Sequence, residues 1–142
     1  MTILYIVVIA FILLEISNVL AMYFIPGTKF ANSVGVFNAW DKSKKDPEVH
    51  SLVKYLVNWV AGTKLIFILL LIVMLYSEDA TAKFSALIVL ATTSALFYWR
   101  LFPLIRKMDK NGEIQPRGYS KTLGLMILVL IIAFLVAYFI RL

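Results

Sequence analysis

A chain of 142 residues that is 62% hydrophobic and only 15% charged carries too much apolar surface for a water-soluble fold, in which about a quarter of residues are charged. The formal net charge of +6 falls between hydrophobic runs rather than among stacking aromatics, so nucleic acid is set aside as a partner. The absence of cysteine excludes disulfides, thiol chemistry and thiolate metal sites. These features point to an all-α polytopic membrane protein: a four-transmembrane-helix bundle forming one domain over residues 1–142, with a short interfacial amphipathic helix between spans one and two.

The first apolar run, about Ile3–Ile25, lacks the positive flank and small-residue cleavage site of a secretory signal and is expected to be a permanent span. Pro26-Gly27 ends it. Within the following connection Phe30, Val34, Phe37 and Trp40 recur at helical spacing, with Lys29, Asn32 and Asp41 off that stripe. This predicts an interfacial helix over about 29–40, although Gly35 weakens it and a loop folded over the bundle end is the alternative. Asp46-Pro47 supplies a cap and first-turn proline for a helix whose spanning part is about Tyr55–Tyr76. Ser77-Glu78-Asp79 breaks the chain before a third span, about Phe84–Leu101. Asn111-Gly112 and Pro116 mark the turn and loop before a fourth, about Leu123–Ile140. Each run is long enough to cross roughly 30 Å of hydrocarbon.

Lysine and arginine set the expected orientation. Lys29, Lys42, Lys44, Lys45 and Lys54 lie in or beside the first connection, and Arg106, Lys107, Lys110, Arg117 and Lys121 lie around the third. The second has only Lys83 beside two acids. The positive-inside rule then places the first and third connections in the cytoplasm and both termini outside, in a plasma or inner membrane.

Glu15 breaks the first run, roughly 18 Å from its outer end, and Lys64 lies at a similar depth, roughly 18 Å from the outer end of the second. Consecutive spans tend to be neighbours, so a buried Glu15–Lys64 ion pair is expected. Unpaired, each charge costs on the order of 3 kcal/mol at mid-span. Asn18 shares the Glu15 face, Asn58 falls before Lys64, and Thr92 and Thr93 sit in a small-residue stretch of the third span. Together these form the candidate intramembrane polar site, built by the first three spans, while the fourth is expected to face lipid or another subunit. The pair can equally be a structural clasp, and the threonine hydroxyls can bond their own preceding turns. Arg100, Arg106, Lys107 and Arg117 are expected to contact anionic lipid headgroups at the cytoplasmic face, with Arg100 reaching toward Glu15 as the alternative. No cofactor is implied. The lone His50 is read as solvated or capping, and the Asp109–Ile114 stretch as a turn rather than a calcium loop, since Lys107 and Gly118 fall where its end ligands would be.

An early-span glutamate and a count of four spans resemble the small multidrug resistance transporters, but the long first connection does not. Thr28–Asn32 and Gln115–Arg117 are similar to stretches of the glutathione- and eicosanoid-metabolising membrane enzymes, which also have four spans and a long first cytoplasmic connection. The Arg/His/Asn/Glu signature of that group's second span is absent from Val49–Asn58. Three functions follow as expectations: an oligomeric transport or channel-type protein using the Glu15/Lys64 site, an accessory or scaffold subunit of a membrane complex, and an enzyme acting on a lipid or amphipathic, glutathione-type substrate.

Overall fold

The structure, a computed structural model, describes residues 2–140. Its helices are α1 (Thr2–Phe24), α2 (Asn38–Ser43), α3 (Pro47–Tyr76), α4 (Ala80–Ala95), α5 (Phe97–Lys110) and α6 (Tyr119–Ile140), with a single 3-10 turn at Val34–Val36. Four stretches are long and apolar enough to cross a membrane: α1, α3, α6, and α4 with α5 taken together over Ala80–Lys110. The last is interrupted only at Leu96.

Local chemistry explains the helix starts. The Asp46 carboxylate accepts from the Glu48 and Val49 amides at 3.0 and 3.2 Å, with Pro47 in the first turn. Asp79 does the same for Thr81 and Ala82 at 2.8 and 3.2 Å. Each satisfies amides that the first helical turn leaves without partners. The start of α6 is capped from a distance, since Asp109 at the end of α5 accepts from the Gly118 and Ser120 amides at 2.9 and 3.0 Å and from the Ser120 hydroxyl at 2.6 Å. With 30 residues, α3 is about 45 Å long, so its first turns stand beyond the hydrocarbon, as its capping signal suggests.

The most extensive contacts are α1 with α3 and α4 with α6, and α1 also packs on α6. The fourth span joins the core through Phe134 and Ala137 while Leu125, Val129, Ile132 and Phe139 stay exposed. The expectation that it mostly faces lipid or another subunit rested on its lack of polar side chains. That criterion does not locate the packed side, because acyl chains and helix surfaces are equally apolar, and small residues rather than polar ones permit close helix approach. Gly124 shows this: a Cβ there would stand 2.8 Å from the Phe102 ring, and the Gly124 carbonyl accepts from the Tyr98 hydroxyl. Leu4, Val8, Phe11, Ile68, Leu87, Leu90 and Phe134 form the main core, with Phe11 edge-on to Phe134 at 5.2 Å. Outward, Leu13, Ile66, Leu70, Val73 and Leu125 are exposed, an apolar belt suited to acyl chains and not to water.

The first connection differs from the expected helix over 29–40. Helical turns occur later and in pieces, at 34–36 and 38–43. Ala31 and Asn32 take left-handed φ values of 53° and 52°, which no right-handed helix accommodates. Gly35 passes so close to the first turn that a Cβ would lie 2.0 Å from the Gly27 carbonyl oxygen. The segment folds over the bundle end and pairs with the third connection: the Asn38 amide donates to Glu113 at 2.9 Å and the Gln115 amide to Val36 at 2.8 Å. Val36, Ile105, Ile114 and Leu123 form a second, smaller core beneath it. Of the aromatic stripe, Trp40 is buried beside Gly27 while Phe30 is 81% exposed. His50 takes part in this packing, its ring 4.8 Å from Trp40 and its Nδ1 2.8 Å from the Ser43 hydroxyl. On the exposed side, Lys44 donates to Asp41 at 2.7 Å and holds that carboxyl below its ordinary pKa.

Candidate functional site

Because α1 and α3 pack side by side, Glu15 and Lys64 meet at one level, and the Lys64 ammonium donates to Glu15 Oε2. Their side chains retain 13% and 29% of their exposure, so the pair is mostly withdrawn from the surface but not sealed. Both groups line a cavity of about 500 Å³ bounded by α1, α6 and the start of α5, with Lys29–Asn32 at its mouth. Phe11, Leu14, Leu123, Met126, Ile127 and Leu130 make its apolar walls. Beyond Phe11 the close-packed layer with Phe134 closes the bundle toward the opposite end.

Asn18 also lines this cavity, one turn of α1 beyond Glu15, and is only 4% exposed. Among the described residues its amide has no hydrogen-bond partner, although it offers two donors and an acceptor. Among the described residues no side-chain nitrogen or oxygen is both fully buried and without a partner, so the amide of Asn18 is reached from the cavity. Its polar atoms border that space, where a molecule occupying it can satisfy them.

The mouth is held by contacts that join the two connections. The Tyr119 hydroxyl donates to Asn32 Oδ1, and Lys29 Nζ donates to Gln115 Oε1 at 3.2 Å. Sequence reasoning passed over Tyr119 and Lys29 as site residues, because contacts spanning more than 80 positions leave no local pattern. It also counted Lys83 in the second connection. Lys83 lies in α4, only 4% exposed, donating to the Tyr5 hydroxyl at the far end of the bundle.

Of the expected polar site, Glu15, Asn18 and Lys64 come together, while Asn58, Thr92 and Thr93 do not join them. All three of the latter are exposed. The Thr93 hydroxyl turns back to the Val89 and Leu90 carbonyls at 2.7 and 3.2 Å, the local alternative for a helical threonine. Among the expected headgroup residues, Arg106 and Arg117 line one cavity, Lys107 lines its neighbour together with Arg106, and Arg100 is exposed and away from both. Arg100 is not among the residues lining the Glu15 cavity.

The donor set offers hydrogen bonding and charge rather than a nucleophile. The Ser17 hydroxyl at the cavity wall is committed to the Leu14 carbonyl at 2.6 Å. Lys64 keeps two further N–H donors and Glu15 a second oxygen for a ligand. Comparison with known proteins finds no matching family model, and no curated protein or solved structure is significantly similar to the chain.

Proposed function

We propose that this membrane protein binds an amphipathic molecule in the Glu15–Lys64–Asn18 cavity, taking it up from the end of the bundle that carries the first and third connections. The ligand's polar head would hydrogen-bond to the Asn18 amide and the ion pair, and its apolar part would lie along Met126, Ile127 and Leu130. The observation that carries this reading is the Asn18 amide, without a protein partner on a residue only 4% exposed, opening onto an apolar-walled space. The few polar groups amid apolar walls have the character of a small-molecule site. The transport expectation narrows accordingly: the closed layer around Phe11 and Phe134 favours one-sided binding over an open path through a single bundle. The basic residues of both connections support a cytoplasmic placement of the mouth.

The test compares wild type with Asn18→Leu, purified side by side in mild detergent, with co-purifying amphiphiles quantified by mass spectrometry. Wild type should retain an amphiphile that the variant loses. Equal retention by both proteins would overturn the proposal.

A further inference from the structure

A second cavity, about 540 Å³, lies away from Glu15 where the end of α5 meets the start of α6. Four cations line it: Arg106 and Lys110, four apart on α5, and Arg117 and Lys121, four apart around the start of α6. Arg106 and Lys110, so spaced on one helix, face the same side, and the turn into α6 brings Arg117 and Lys121 to the same space. The carboxylate in the lining, Asp109, spends its oxygens on the Gly118 and Ser120 amides and the Ser120 hydroxyl. Glu113 nearby accepts from the Asn111 side chain at 2.9 Å. Asp109 attracts Lys121, and four cations against this one carboxylate leave the lining with a net charge of +3.

The position favours a lipid over a soluble anion. A neighbouring cavity of about 450 Å³ shares Arg106, Lys110 and Asn111 with the first and adds Phe102, Pro103 and Lys107. Phe102 and Pro103 precede Arg106 by four and three residues, on its side of α5, and Leu101 just before them is 59% exposed. Arg106 lies roughly 7 Å beyond Leu101 at helical rise, which is about the depth of a headgroup layer outside the hydrocarbon. The cationic space thus runs directly onto an apolar face. We propose that these two cavities form a site for a phospholipid carrying two phosphate groups, with Arg106, Lys110, Arg117 and Lys121 gripping the phosphates and the Phe102–Pro103 surface receiving the acyl chains. Four cations from two elements match two phosphates, whereas a single phosphate would leave half of them unanswered. Basic pockets between spanning helices are a recurrent form of such recognition.

The test is native mass spectrometry of the full chain in neutral detergent. Diphosphatidylglycerol, phosphatidylglycerol and phosphatidylcholine are titrated separately, and soluble pyrophosphate is added as competitor. Diphosphatidylglycerol should bind at least about tenfold more tightly than phosphatidylglycerol, since two further cations are engaged at about fivefold each. Arg106→Gln/Arg117→Gln should erase that preference, with an unchanged melting temperature showing that the variant is folded. Lys42→Gln/Lys45→Gln, which removes the same charge from the first connection, should leave it intact. Equal loss in both double variants would overturn the proposal, because attraction would then follow net charge alone. Pyrophosphate displacing the lipid at equal concentration would also overturn it, by making the ligand a soluble phosphate.

Discussion

Glu15 and Lys64 carry the one carboxylate–ammonium contact that sequence depth alone brought to attention, and their energetics separate two roles. Removing one partner strands the other in a poorly solvated place, which costs about 3–5 kcal/mol where burial is complete. Partial access at Lys64 puts Glu15→Gln and Lys64→Met near the lower end. The double variant Glu15→Leu/Lys64→Leu should recover most of that loss, as measured by thermal unfolding in detergent. If recovery of stability is accompanied by loss of the bound amphiphile, the pair serves binding; if binding survives, it is a structural clasp. The pair was legible because depth along antiparallel helices can be counted from the sequence. The special standing of Asn18 was not, since an unpartnered amide is a fact of three-dimensional surroundings.

Among the elements, the four spans and the cap at Asp46 followed from hydrophobic length and from a residue whose side chain reaches its own helix start, while Asp79 was read only as part of a break. The connection between α1 and α3 did not follow, because its aromatic spacing mimics a helix while long-range contacts fix its path. Gly35 decides that path: with its Cβ position 2.0 Å from the Gly27 carbonyl, Gly35→Ala must lift the connection off the bundle end. Destabilisation of about 3 kcal/mol is expected, within the range of severe packing changes, together with loss of the Asn32–Tyr119 closure at the cavity mouth. Protease protection of the first connection gives a direct readout, and unchanged protection would show that the close approach does not hold in solution. Which face of α6 packs on α4 and α1 was equally hidden, since in a bilayer an apolar face does not declare whether it meets lipid or protein.

For the whole molecule, the pairing of residues 36–38 with 113–115 places the first and third connections at one end. The proposed orientation makes that end cytoplasmic, and a chain without cysteine allows a clean check by single substitutions at exposed positions. In intact cells, a membrane-impermeant maleimide should label Glu78→Cys at once and Lys44→Cys only after permeabilisation. The reverse pattern would invert the topology and move the cavity mouth to the other side. The central claim is that the space beside Asn18 holds a ligand, and an experimental structure in lipid nanodiscs tests it most directly. Elongated density between α1 and α6, its polar end within hydrogen-bond distance of the Asn18 amide, is the expected result. A cavity closed by side-chain movement, or an Asn18 amide bonded to protein groups with no density beside it, would contradict the account.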